Sequence, residues 1–149
     1  MLATLQPGLK YQLKFVVPET KTVPDLFPES PEFLASPRVF ATGYMVGFLE
    51  WACKAAIAPY LDAPAEHTVG THIDMTHEGA TPPGVEITAD IELVAIEGRK
   101  LSFTIVARDA EEILARGTHE RFVINRAKFD AKVEDKRARL SGNQPRKST

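Results

Sequence analysis

"FATGYMVGFLEWACKAAIAPYL", residues Phe40 to Leu61, is the most apolar stretch of the chain, and its reading decides the fold. Tyr44, Met45, Phe48, Leu49, Trp51, Ala52, Ala55, Ala56 and Ile57 cover nearly the whole circumference of a helix from about Gly43 to Tyr60. Thr42 suits the N-cap, and Pro59 with "DAPAEH" marks the end. A helix apolar on all sides has to be enclosed. Near its centre stand one acid, Glu50, and one base, Lys54. Both would strongly disfavour a membrane span, so the helix is expected inside a soluble domain.

Working outward, the flanks read mostly as strands. "YQLKFVV" (Tyr11 to Val17) alternates, with Tyr11, Leu13, Phe15 and Val17 on one face. Between it and the helix, prolines at 18, 24, 28, 31 and 37 forbid a long helix or a central strand. That segment is expected to be an extended loop with at most a short helical turn, and so long a loop points to function. After the helix, "HTVGTHIDMTH" alternates, placing Val69, Ile73, Met75 and His77 on one face and Gly70, His72 and Asp74 on the other. "GATPPG" reads as a turn, and "VEITADIELVAI" and "KLSFTIVARD" as a hairpin joined at "EGR". "EILARGTHERFVIN" closes the sheet. "RAKFDAKVEDKRARL" reads as a short helix, and 141–149 as a disordered tail after a single domain spanning 1–140.

One helix apolar all round needs a sheet curled about it. The expected class is α+β, a hot dog fold with a five- or six-stranded antiparallel sheet wrapped around one long central helix. A lone sheet would leave that helix partly uncovered and its own edges open, so a homodimer is expected.

The chain of 149 residues suffices for one core, and a net charge of −2 offers no attraction to nucleic acid. The start, "MLATLQPGLKYQ", has neither the charged nor the apolar region of a targeting signal. The single cysteine, Cys53, excludes an internal disulfide framework and fits a reducing compartment. A cytoplasmic protein without membrane or nucleic-acid partners is therefore expected.

Candidate chemistry centres on Glu50. A plain reading pairs it with Lys54 at i, i+4. A functional one holds its carboxylate in an apolar pocket as a base or nucleophile. His77, on the apolar face of its strand, points toward the helix and could share that enclosed space. Thr42 is a helix cap or, with the amides of Gly43 and Tyr44, a group that meets an oxyanion. Along an ideal helix Thr42 and Glu50 lie about 12 Å apart, so they meet only through an irregular first turn or a substrate that bridges them. His119 and Arg121 share one face of the last strand, read as solvated or salt-bridged, with Phe122 and Ile124 behind it. His77 stands across the sheet from His72 and Asp74, so no metal site is expected. Cys53 reads as a small core residue.

From about Phe15 to Val133 the chain resembles the fluoroacetyl-CoA thioesterase-like family of hot dog proteins. The resemblance is carried by "FVVPETKTV", "FPESPEF", "VFATGYMVGFLEWAC", "APYL", "GTHIDMTHEGATPPG" and "GTHERFVI". It implies a homodimer that hydrolyses short acyl-CoA thioesters with no metal and no organic cofactor. It implies catalytic roles for Thr42, Glu50 and His77, with Gly70 and Arg121 near the thioester carbonyl and Gly43 and Phe33 also against substrate. The family's fluoroacetyl-specific member has two lid phenylalanines. Phe33 matches the first and Ser36 stands at the second, which implies a more open pocket. Two other readings compete with this one. A hot dog enoyl-CoA hydratase uses an aspartate and a histidine ahead of the helix, and "EFLASPRVFATG" has neither. A non-catalytic acyl-CoA-binding dimer would have no need of all five matching residues.

Overall fold

The computed structural model describes residues 1–142. Its sheet comprises β1 (Lys10–Val16), β2 (Glu66–His77), β3 (Glu86–Glu97), β4 (Lys100–Arg108) and β5 (Ile113–Asn125). All neighbours are antiparallel in the order β1-β3-β4-β5-β2, so there are five strands, with β1 and β2 at the edges. The long helix, α3 (Thr42–Ile57), continues as a 3-10 turn over Ala58–Tyr60 and lies against β1, β2, β3 and β4. This is the hot dog arrangement. The tail expected from 141 lies almost wholly outside the described residues.

The helix buries a stripe rather than its whole surface. Met45, Phe48, Leu49, Ala52, Cys53, Ala56 and Ile57 recur at the spacing of one helical face and are buried. They meet Ile87, Leu93, Leu101, Phe103 and Ile105 from the sheet. Each large side chain enclosed there contributes about 1.5–3 kcal/mol. Gly43, Gly47, Trp51 and Lys54 are exposed on the opposite side, Trp51 by 48%. The sequence-based expectation of burial on nearly all sides is therefore not met within one chain.

The β3–β4 hairpin turns at Gly98, whose φ of +63° is open to glycine at little cost. By contrast, "GATPPG" does not join neighbouring strands. It carries the chain from edge strand β2 across to β3, next to the far edge. On the way Phe40 N–H donates to the Thr81 carbonyl, tying this crossover to the start of α3.

The proline-rich loop folds into two single-turn helices, α1 (Val23–Leu26) and α2 (Pro31–Leu34). Ser30 Oγ caps α2 by accepting from Phe33 N–H, while Asp25 and Thr22 form a capping box on α1. α2 rests on α1, and α1 rests on the first turn of α3, where Leu26 covers Gly43. The charged segment after the sheet forms α4 (Arg126–Leu140), which buries no residue.

Candidate active site

The site is built along one face of β2. A register irregularity between Gly70 and His72 inserts Thr71 as an extra residue, so the alternation reverses there. Before it, Thr68 and Gly70 face the helix. After it, Ile73 and Met75 do, and His77 with them. The parity read from the sequence put Gly70 opposite His77. The bulge places both on the inner face.

Gly70 sits under the Glu50 carboxylate. A Cβ at Gly70 would fall 2.8 Å from Glu50 Oε2 and 3.3 Å from Arg121 Nη1, so the missing side chain leaves room for this ion pair. Arg121 Nη1 donates to Glu50 Oε2 at 2.8 Å. Its Nε donates to Thr68 Oγ1 at 2.9 Å and its Nη2 to the Thr68 carbonyl at 3.0 Å. The guanidinium is thus buried, 3% exposed, whereas the Glu50 side chain remains 37% exposed. Among the described residues the one hydrogen bond to this carboxylate falls on Oε2, and Oε1 has no hydrogen-bond partner. A cavity of about 250 Å³ lies there, bounded by Val46, Glu50, Gly70, Ile73 and His119.

Two expectations are corrected here. Glu50 takes its cation from β5, not from Lys54 one turn along its own helix. The His119–Arg121 face of β5 is the inner one, with both residues 2% exposed, while Phe122 on the other face is 41% exposed. Of the two readings of that face, solvated or salt-bridged, the second holds for Arg121, whose counter-ion lies 71 positions away.

The second group of side chains lies at the start of α3. Thr42 is its first helical residue, with Ala41 at the cap position and no side-chain cap. The hydroxyl instead forms a 2.7 Å hydrogen bond with His77 Nδ1. His77 Nε2 is buried and unpartnered among the described residues. Burial holds His77 below the ordinary histidine range, opposed by the backbone of Gly79, so the ring is neutral at pH 7.

β2 runs antiparallel to α3, so Thr42 meets His77 at one end of the strand and Glu50 meets Gly70 toward the other. The two groups are separate within one chain. Phe33, half-buried, packs at a tilt against Phe27 in the proline-rich loop with centroids 5.5 Å apart, and Ser36 Oγ donates to the Glu32 carbonyl. Burial pushes the Cys53 thiol up to about 12, which makes it an inert core group.

A sheet curled round one helix, with an acid on that helix facing a cavity, defines a protein of the hot dog thioesterase type. A hot-dog-like protein from Thermanaerovibrio acidaminovorans shares the fold, with a TM-score of 0.74 at 16% identity over 89% of this chain and 93% of that one. The family model for fluoroacetyl-CoA-specific thioesterase matches residues 24–127, and this chain belongs to that family. The fluoroacetyl-CoA thioesterase of Streptantibioticus cattleyicolor is 52% identical over 132 residues, 89% of this chain and 94% of the relative. A substituted form of the fluoroacetyl-CoA thioesterase FlK, solved in complex with acetyl-CoA, superposes with a TM-score of 0.86 at 51% identity, covering 89% of this chain and 98% of that one.

Proposed function

We propose that this protein is a homodimeric acyl-CoA thioesterase that hydrolyses short-chain acyl-CoA thioesters to a carboxylate and free CoA. The observation that carries the reading is the Glu50 carboxylate, anchored through one oxygen by buried Arg121 and free through the other at a cavity. Such a carboxylate either attacks the thioester carbonyl or takes a proton from the water that does. His77, neutral and with Nε2 unpaired, first takes up the proton released as water attacks, and the imidazolium so formed returns it to the departing CoA thiolate. Thr42, bonded to that ring, orients the thioester beside the amide of Gly43. Phe33 in the lid bounds the acyl group, and Ser36, where the second lid phenylalanine would stand, widens the range of short acyl groups accepted.

Dimerisation is supported by three features. The outward face of α3 exposes Trp51 beside two glycines. The long edge strand β2 carries no lysine or arginine, whereas the other edge, β1, carries Lys10 and Lys14, which discourage strand addition. The two groups of site residues are apart in one chain. A second copy laid across α3 in the opposite sense brings Glu50 of one chain to Thr42 and His77 of the other.

The test is release of CoA thiol from a panel of short acyl-CoAs, including acetyl- and fluoroacetyl-CoA. Turnover is expected with several of them, and Glu50→Gln is expected to reduce kcat by at least about a hundredfold. The same change removes the counter-ion of a buried guanidinium. Because the carboxylate is partly exposed, the cost is about 1–2 kcal/mol, short of unfolding. A Glu50→Gln protein that hydrolyses as fast as the parent would refute the reading.

A further inference from the structure

Arg121 is held by one more group, which the proposed chemistry does not use. His119 is 2% exposed, and its ring stacks on Phe103 with centroids 6.4 Å apart. Its Nδ1 lies 2.8 Å from the carbonyl oxygen of His72. A carbonyl only accepts, so Nδ1 carries the proton. Its Nε2 lies 3.1 Å from Arg121 Nη1, which only donates, so Nε2 offers a lone pair. Both contacts are satisfied by one species alone, the neutral ring protonated on Nδ1. Burial, the largest influence, holds His119 below the ordinary histidine range. The His72 carbonyl opposes this and the Arg121 charge reinforces it. With Thr68 on Nε and Nη2, and Glu50 and His119 on Nη1, four of the five guanidinium N–H groups are engaged.

We propose that His119 is a positioning residue: as a neutral imidazole it fixes the Arg121 guanidinium, and through it the direction in which Glu50 presents its free oxygen to the thioester. The proposal rests on the reading of Glu50 given above. Without His119, the guanidinium keeps its bonds to Thr68 but can turn its Nη1 end, and the carboxylate turns with it. A reacting group displaced by about 1 Å loses up to a hundredfold in rate while substrate binding, made elsewhere, is little changed.

The experiment compares His119→Leu, which removes both ring nitrogens, with His119→Gln, whose neutral amide can again accept from Arg121. His119→Leu is expected to lower kcat for acetyl-CoA by about tenfold or more with KM within about threefold, and His119→Gln to recover at least about a third of the parent kcat. Nitrogen–proton correlation spectra of the parent at pH 7 should show His119 protonated on Nδ1 and bare on Nε2. The Nη1 N–H signals of Arg121 should be protected from exchange in the parent and in His119→Gln, and lose that protection in His119→Leu, while the Nε signal held by Thr68 stays protected. A His119→Leu kcat close to the parent's, a His119→Gln as impaired as His119→Leu, or a ring protonated on Nε2 would each overturn the proposal. If the parent releases no thiol from any short acyl-CoA, the thioesterase reading fails, and the ring tautomer and Arg121 protection still decide the positioning claim. Should His119→Leu not fold, His119→Gln and the tautomer decide it.

Discussion

The acid that interrupts the central helix is explained by three residues from other elements. Gly70 leaves it space, Arg121 supplies its charge partner, and Thr68 holds that partner from behind. Gly70→Ala tests this directly. The added methyl would meet Glu50 Oε2 at 2.8 Å, and since that atom ends a flexible side chain, the carboxylate moves and the strand does not. Thiol release should fall by about ten- to a hundredfold. The melting temperature should stay within about 4 °C of the parent, the shift expected from less than 1 kcal/mol. Sequence reasoning identified Glu50 as an acid in need of compensation, with Lys54 four residues along the helix as the plain partner and an enclosed functional carboxylate as the other reading. No local rule points to a partner 71 residues on. The family resemblance singled out Arg121 without giving its contact, and only the fold supplies that contact.

At the scale of elements, β2 is where the sequence was both most and least legible. Its alternation identified a strand and put His77 on the helix side. A one-residue bulge cannot be seen in such alternation, and it reverses every assignment before it. Strand β5 shows the complementary constraint. A methyl on Gly117 would overlap the carbonyl oxygen of Asp74 in β2, a backbone atom unable to step aside. Gly117→Ala should therefore destabilise the fold by about 2–4 kcal/mol in denaturant titration, by prising β2 from β5. Activity lost this way would fall together with stability, unlike the loss in Gly70→Ala. The proline-rich loop was legible only in part. Its prolines ruled out long elements, and two of them, Pro24 and Pro31, lie in the first turns of short helices.

For the whole molecule, one buried and one half-buried histidine shape the response to acid. His77 and His119 are both held below the ordinary histidine range, chiefly by burial. In the folded state they bind fewer protons than in the unfolded chain once pH drops below about 6.5. Stability is then full above that value and declines as pH falls through it toward the depressed folded-state values. Thermal melts from pH 8 to pH 5 should show a plateau followed by this decline, and the decline should be shallower in His119→Gln. A melting temperature that rises on acidification in this range would contradict the assignment. The proposed shared site makes a separate prediction. Mixing Thr42→Ala and Glu50→Gln chains, each nearly inactive alone, should restore thiol release, because a mixed dimer pairs an intact Thr42 and His77 with an intact Glu50 from the other chain. Light scattering should give twice the 16.4 kDa of one chain. Failure to restore activity would place all three groups of a working site in one chain. Periodicity and proline placement by themselves determined one long apolar helix, a five- or six-stranded sheet and a loop without long elements, because those follow from whether successive side chains meet apolar or aqueous surroundings; α4, read as short, runs for 15 residues. Only the tertiary structure decided which strands are neighbours, where β2 reverses its face and which cation meets Glu50, because these depend on contacts between residues far apart in the chain, which no local pattern encodes.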